Sequence, residues 1–429
     1  MTSRSTSRLP GWLVGSGVIA VAMGVMNVST YAFTILAARW LGPSEYGELA
    51  AVMGLLLVVN VVSLGLQATG ARRVAAAPDD LPHIEKAVLA TSYRSALGLG
   101  MLCLVAVPLI ANLLHLDSWV TAALLAVTAV PLTVMGGQAG ILQGERRWLP
   151  LAGIYLTVGL GRVVFGICAL LLDPHALGAM AGVAVGAFAP TLLGWFMLRH
   201  PARQQRRSSN PASGWPVWTT ADLARELAHN SHALLAFFAL SNADVIIARS
   251  VLADHQSGLY AGGLILAKAV LFLPQFVVVI AFPSMSAAGA RRRTHLNGLA
   301  LVLVIGLLAT GGAAVLSGLA VSFVGGGAYS ELEPLIWAFA AVGTLLAMIQ
   351  LMVYNVVARQ HQRSVFVVWA GLVALLAAAP FVDSVGFLLS VVVAVETCVL
   401  LVLLGLSLRS SAPAPADPVA VPPPGSRQV

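Results

Sequence analysis

Two basic residues lie deep within long apolar segments of the chain, where charged side chains are rare. Lys268 lies ten residues after the start of the segment 258–287, and Arg162 lies at a similar depth in the segment 150–172. A charge at the centre of a bilayer costs about 2.5–3.5 kcal/mol on insertion scales, so such a residue rarely lacks a role. We interpret both residues as cations that bind a phosphate group. The alternatives are a structural ion pair or a side chain that reaches the membrane surface.

Two further arginines lie at matching positions near the ends of apolar segments. Arg39 is followed by Glu45 and Glu48, and Arg249 is followed by Asp254. Each arginine could close a gate through one of these carboxylates, or it could receive an anionic head group. The alternative for both is an ion pair with a local carboxylate at the membrane surface, and the sequence leaves the choice open.

Two acidic residues also fall inside apolar segments. Asp244 lies one and a half helical turns before Arg249, and Glu396 lies near the middle of the segment 386–408. A buried carboxylate of this kind can bind a proton or Na⁺, so we predict that both residues belong to a coupling-ion site or a gate, together with Glu45. The alternatives are an ion pair of Asp244 with a nearby cation, and a protonated Glu396 that is merely buried.

Uncharged polar residues in the same segments are candidate ligands for sugar hydroxyls. They are Asn27, Gln67, Asn230 and Asn242. An amide side chain both donates and accepts hydrogen bonds, as recognition of a hydroxyl requires. Such side chains also bond neighbouring membrane helices to one another, and this second interpretation stands beside the first.

The sequence contains no pattern typical of an enzyme site. It has no His/Cys/Asp cluster at metal-ligand spacing and no glycine loop that would hold a nucleotide. The cysteines Cys103, Cys168 and Cys398 lie far apart within apolar segments. We therefore expect a protein that is not an enzyme and needs no cofactor, apart from H⁺ or Na⁺ as a possible coupling ion.

The elements that must position these residues are membrane-spanning helices. The chain has 429 residues, of which 59% are hydrophobic and 10% charged, whereas soluble proteins carry about 25% charged residues. Its mean hydropathy is +0.89. Twelve apolar segments are long enough to cross a bilayer as helices, so we predict an all-α, polytopic membrane protein. The segments are 12–38, 47–70, 93–114, 118–142, 150–172, 177–198, 223–249, 258–287, 296–323, 334–358, 364–382 and 386–408.

The distribution of basic residues predicts the orientation of the chain. If the N-terminus is cytoplasmic, all but four of the 24 Lys and Arg residues fall on the cytoplasmic side, as the positive-inside rule requires. The C-terminus is then cytoplasmic too. The net charge of +7 therefore sets topology and contacts anionic membrane lipids, and it does not indicate nucleic-acid binding.

The sequence divides into two similar halves. We predict an N-terminal lobe (1–198), a basic cytoplasmic linker (199–222), a C-terminal lobe (223–409) and a disordered Pro/Ala-rich tail (410–429). Arg39 with the following Gly47 recurs as Arg249 with Gly258, although the second spacing is one residue longer. Six segments in each half keep the halves parallel, which is a known transporter design.

The chain resembles the polysaccharide transporter branch of the multidrug/oligosaccharidyl-lipid/polysaccharide exporter (MOP) superfamily, from about residue 12 to 408. The blocks that carry the resemblance are Ala38–Ala50, Asn242–Arg249 with Gly258–Ala261, and Leu142–Gly144 with Arg146. The resemblance implies two six-helix lobes around a central cavity lined by the first, second, seventh and eighth segments. It also implies alternating access. Larger relatives carry an extra pair of helices after the twelfth segment; this sequence shows twelve segments without that pair, so we expect no lipid-tail groove built from added helices.

What the resemblance implies for function is a flippase. Its cargo would be an undecaprenyl-diphosphate-linked oligosaccharide, carried from the cytoplasmic to the outer leaflet of a bacterial cytoplasmic membrane. Other polysaccharide-assembly proteins are possible partners. Two alternatives stay open: an ion-coupled multidrug antiporter, and a scaffold of a polysaccharide assembly complex that transports nothing. The short connections between segments argue against a membrane glycosyltransferase or polymerase.

Overall fold

The computed structural model describes residues 11–199, 220–285, 291–359 and 364–409, and within those ranges the chain is helical and forms no strand. Most of the predicted linker, the predicted tail and the side chain of Asn230 lie outside the described residues. The helices are α1 Gly11–Val59, α2 Val61–Ala76, α3 Leu81–Val105, α4 Val107–Leu113, α5 Trp119–Gly144, α6 Trp148–Leu172, α7 Ala176–Gly186, α8 Phe188–Arg199, α9 Thr220–Val251, α10 Asp254–Met285, α11 Arg291–Val315, α12 Ser317–Val324, α13 Ile336–Arg359, α14 Val365–Ala378 and α15 Val385–Arg409.

The helices present apolar side chains outward as well as inward. Leu172 is 88% exposed and Val315 is 83% exposed, which suits a surface that faces lipid and would be costly in water. In the described part of the chain, nine helices are long and apolar enough to cross a membrane. The all-α, multi-pass architecture is therefore confirmed. All twelve predicted segments overlap helices, but the count of twelve crossings and the cytoplasmic termini stay predictions.

A break at Gly42 divides α1 into two arms. Gly42 has φ 72° and ψ 177°, a conformation that side-chain-bearing residues rarely adopt, and Pro43 follows it. The first arm corresponds to the first predicted segment, and the second arm continues past Asn60 into α2 as the second segment. The break therefore lies at one end of the molecule, which we call the Gly42 end.

The same packing relations occur in both halves of the chain. In the first half α1 packs on α6, α5 packs on α2, α3 and α8, and α6 packs on α7 and α8. In the second half α9 packs on α14, α13 packs on α10, α11 and α15, and α14 packs on α15. These pairs correspond when the first six segments are matched to the last six. The packing thus supports the predicted internal repeat, while the predicted domain boundaries remain predictions.

The two halves meet mainly along α1 and α2 of the first half and α9 and α10 of the second. Their backbones come into close contact at the Gly42 end, where a Cβ atom on Gly47 would lie 2.9 Å from the Cα atom of Gly258. A Cβ atom on Gly258 would overlap the carbonyl group of Pro43. Small residues allow helix backbones to touch in this way. The interface between the halves therefore depends on glycine at this level.

Candidate functional site

A cavity of about 160 Å³ lies between the two halves. Both arms of α1 line it together with α6, α9 and α10, so the four predicted cavity-lining segments do line it and α6 joins them. Its lining residues are Thr30, Tyr31, Phe33, Thr34, Tyr46, Leu49, Ala50, Met53, Gly54, Leu57, Arg162, Val245, Ala261, Leu264, Ile265, Lys268 and Phe272. Apolar side chains form most of the wall, and two cations interrupt it.

Those two cations are the predicted phosphate ligands, Arg162 and Lys268. The Lys268 Nζ donates a hydrogen bond of 2.8 Å to Asn242 Oδ1, and Asn242 Nδ2 donates one of 2.8 Å to the carbonyl of Phe238. Arg162 is half-buried, and no described residue forms a hydrogen bond or an ion pair with it. The cavity therefore holds a positive charge that the described part of the protein does not neutralise.

Behind the cavity wall, two buried carboxylates approach one another. Asp244 Oδ2 accepts a hydrogen bond of 3.1 Å from the Tyr260 hydroxyl, and Asp244 also interacts electrostatically with Lys268. Glu396 on α15 is close enough to Asp244 and Tyr260 to interact with both. Its Oε2 atom is buried and has no hydrogen-bond partner among the described residues. The structure thus unites the two predicted coupling residues in one site next to a cavity cation.

The two gate arginines both lie at the Gly42 end. Arg249 is 3% exposed, and its guanidinium forms an ion pair with Asp254 at 2.8 Å and approaches Glu48 Oε2 at 4.0 Å. Arg39 is exposed and donates a hydrogen bond of 2.7 Å to the carbonyl of Ser322 in the other half. Neither arginine lines the cavity, so the structure separates them from the predicted phosphate ligands.

Glu45, the predicted gate carboxylate, forms a hydrogen bond within the first half of the chain. Its Oε2 accepts a hydrogen bond of 2.8 Å from the backbone N–H of Ala176, the first residue of α7. A carboxylate at a helix N-terminus satisfies a free N–H and opposes the positive end of the helix dipole. The neighbouring His175 is exposed, and its hydrogen bond with Asp173 raises the pKa of His175. Glu48, one turn further on, is the acid that approaches Arg249.

Two predicted sugar ligands lie away from the cavity wall. Gln67 Nε2 donates hydrogen bonds of 2.9 Å to Gln143 Oε1 and 2.6 Å to the Tyr155 hydroxyl, so it joins α2 to α5 and α6. Asn27 is partly buried on α1 but is not among the lining residues. Asn242 lies directly behind the wall as the partner of Lys268.

Several residues at the site had no role predicted from the sequence. Thr30, Tyr31 and Thr34 line the cavity, and their spacing on one helix face was the available signal. Tyr260 links the acid pair to the wall of the cavity. It belongs to the block Gly258–Ala261, whose apolar residues gave no indication that the Tyr260 hydroxyl is buried in a polar site.

Comparison with known proteins identifies the fold. A family described as polysaccharide biosynthesis protein matches residues 13–289. An inward-facing multidrug resistance MATE family transporter of the MOP superfamily aligns with a TM-score of 0.66 at 13% identity, covering 92% of this chain and 98% of its own. An outward-facing structure of such a transporter aligns with a TM-score of 0.61 at 12% identity, covering 93% and 97%.

A third similar structure is a MOP superfamily transporter from Pyrococcus furiosus. It aligns with a TM-score of 0.51 at 13% identity over 92% of this chain and 95% of its own, and its binding pocket is described as having reverse polarity. No curated protein sequence matches the chain significantly. The chain therefore has the fold of MOP superfamily transporters.

Proposed function

Because the chain belongs to the polysaccharide biosynthesis protein family, we propose that it is a membrane transporter that flips a lipid-linked oligosaccharide. The cargo we propose is an undecaprenyl-diphosphate-linked glycan, moved from the cytoplasmic to the outer leaflet of a bacterial cytoplasmic membrane. The observation that carries this proposal is the pair of cations in one cavity, of which Arg162 has no partner among the described residues.

The chemistry of this cargo fits the cavity. A diphosphate crossing about 30 Å of hydrocarbon must exchange its hydration for fixed cations, because a bare anion in lipid is prohibitively costly. Arg162 and Lys268 supply that charge, and Arg can bind phosphate oxygens with two parallel hydrogen bonds. Thr30 and Thr34 lie on the same wall, and a threonine hydroxyl can hydrogen-bond a sugar. The lipid tail can remain in the bilayer, which requires no apolar tunnel through the protein.

The movement we propose is alternating access, in which the two halves rock about the cavity. We infer that Asp244 and Glu396 couple this movement to H⁺ or Na⁺. Two buried carboxylates that interact electrostatically repel one another unless a proton or a cation neutralises one of them. Asp244 also attracts Lys268 electrostatically. A cation bound at Asp244 and Glu396 therefore weakens the attraction between Asp244 and Lys268. The freed ammonium group is then available to the anionic cargo.

A second candidate is an ion-coupled multidrug antiporter. The observation that favours it is the buried acid pair, together with the description of two structural neighbours as multidrug resistance transporters. The cavity wall argues against it, since a cationic drug would meet Arg162 and Lys268. A scaffold that transports nothing is a third possibility, and it would not require an anion-binding cavity.

Binding to the purified protein distinguishes these functions. We expect the protein in detergent to bind undecaprenyl diphosphate, and to bind the lipophilic cation tetraphenylphosphonium weakly or not at all. Arg162→Met and Lys268→Met should each weaken anion binding. Arg199→Met is the matched control, because Arg199 stacks on Trp195 outside the cavity, 3.9 Å from the ring centroid. Preference for the cation would favour the antiporter, and no binding of either probe would favour the scaffold.

A further inference from the structure

The third segment ends in a helix terminus whose last carbonyl groups accept no hydrogen bond within their own helix. α4 ends at Leu113, and His115 follows in the left-handed conformation with φ 44°. Hydrogen bonds from Leu116 N to Ala111 O (3.0 Å) and from His115 N to Asn112 O (3.4 Å) complete a helix-ending turn. The carbonyls of Leu114 and His115 then point onward without partners from their own helix.

Arg249 of the second half binds these two carbonyls. Its Nε donates a hydrogen bond of 2.9 Å to Leu114 O, and its Nη2 donates one of 2.8 Å to His115 O. The negative end of a helix dipole favours a cation at this place. Since α4 belongs to the first half and α9 to the second, this contact is a helix C-cap that crosses the interface between the halves.

Arg39 makes the equivalent contact in the opposite direction. It belongs to the first half, and its Nη2 binds the carbonyl of Ser322 in the last turn of α12, a short helix of the second half. α12 follows a break in the ninth segment, just as α4 follows a break in the third. Arg39 and Arg249 occupy matching places in the repeat. Each arginine therefore caps the corresponding short helix of the other half.

From this reciprocal exchange we propose that Arg39 and Arg249 form a two-part latch that holds the Gly42 end of the cavity closed. The proposal rests on the alternating-access movement of the proposed function. The halves cannot separate at this end without breaking both caps. In the opposite movement the caps persist, because the halves stay in contact at Gly47 and Gly258, next to Ser257, which Arg249 also binds. The latch thus determines which end opens and does not itself contact the cargo.

The two parts of the latch differ in strength. Arg249 is buried and also binds Asp254 and Ser257, whereas Arg39 is exposed and has a single described hydrogen bond. Buried charge-assisted hydrogen bonds contribute more than exposed ones. We expect loss of Arg249 to increase opening of the Gly42 end by tenfold or more, and loss of Arg39 to increase it two- to fivefold.

Thiol accessibility tests the latch without requiring any cargo. Thr34→Cys places a reporter in the cavity wall of a protein whose three native cysteines are replaced by alanine. A membrane-impermeant maleimide is applied to intact cells and to inverted vesicles, so each end is exposed in one preparation whichever way the chain inserts. Arg249→Ala and Arg39→Ala should accelerate labelling from the Gly42 side and slow it from the other side.

Arg147→Ala is the matched control, because Arg147 Nη1 also binds a helix carbonyl, that of Met197 at 3.1 Å, but within the first half. It should leave both labelling rates unchanged. Equal labelling in wild type and Arg39→Ala, or the same acceleration in Arg147→Ala, would overturn the latch. Arg39 is exposed, so its variant carries the test even where Arg249→Ala folds poorly. Because no cargo is involved, the latch can fail while undecaprenyl diphosphate still binds, and the converse also holds.

Discussion

The two cavity cations should respond to removal with opposite changes in stability. Arg162 has no hydrogen bond or ion pair with the described residues, so Arg162→Met deletes a charge that the fold does not compensate. Insertion scales set the cost of such a charge at about 2.5–3.5 kcal/mol at the membrane centre, and this is the upper limit of the expected gain in stability. We expect the purified variant to melt at a higher temperature than the wild type.

Lys268→Met should act in the other direction. It leaves Asn242 Oδ1 without its donor and leaves Asp244 without its attractive cation. An orphaned buried acceptor costs about 1–3 kcal/mol, and loss of the cation adds to this. The melting temperature should therefore fall. Thermal unfolding in one detergent, followed by intrinsic fluorescence, measures both variants on one scale.

Both variants should nevertheless bind the anion more weakly. A charge-assisted hydrogen bond contributes about 1.5–3 kcal/mol, which corresponds to a loss of affinity of about 10- to 150-fold for each cation. Titration with undecaprenyl diphosphate measures this loss. A lower stability of Arg162→Met than of the wild type would show that Arg162 serves the fold and would refute this prediction. Binding of the anion by either variant as tightly as by the wild type would refute it equally.

Three further substitutions test the coupling site and the packing of the halves. Glu396→Gln should preserve anion binding but abolish the dependence of transport on H⁺ or Na⁺, because the unpartnered carboxylate is lost; flux at varied pH and Na⁺ measures this. Gly258→Ala should lower the free energy of unfolding by about 1–3 kcal/mol, because its methyl group overlaps the carbonyl of Pro43. Glu45→Ala should lower it by about 0.5–2 kcal/mol through loss of the cap on Ala176, again by thermal unfolding.

Each of these substitutions has a matched control in an open or exposed place. Gly386→Ala introduces a methyl group with no atom of the described residues within 4 Å and should not destabilise the protein. Glu331→Gln alters an exposed acid and should leave both stability and ion dependence unchanged. Retained ion dependence in Glu396→Gln would remove that residue from coupling. Wild-type stability in Gly258→Ala or Glu45→Ala would contradict the contact assigned to it.

The architecture was accessible from the sequence because it depends on composition and spacing. Apolar segments of about 20 residues must be helical in lipid, where every backbone group needs an internal partner. The depth of Arg162 and Lys268 follows from their position along the chain. The position of Lys268 at the cavity was predicted by the family resemblance, which implied that its helix lines the cavity. The position of Arg162 at the same cavity could be seen only in the structure, from the packing of α6 on α1.

The contacts of individual side chains were harder to predict from the sequence, because they depend on the rotation of each helix about its axis. Glu45 and Glu48 lie on one helix after the Gly42 break, yet only Glu48 turns towards Arg249. Gln67 was a candidate sugar ligand by depth, but rotation of α2 directs it to Gln143 within the same half. The capping of α4 by Arg249 could not be found from spacing at all, since it joins residues 135 positions apart.

The central claim is that this protein carries a lipid-linked glycan across the membrane. The most direct test is to deplete the protein in its native host and quantify the undecaprenyl-linked glycans, with their leaflet assigned by accessibility to an impermeant glycosidase. We predict that an oligosaccharide intermediate accumulates in the cytoplasmic leaflet, and that wild type but not the Arg162→Met, Lys268→Met double variant clears it. Unchanged lipid intermediates with raised sensitivity to cationic drugs would contradict the claim and support the antiporter.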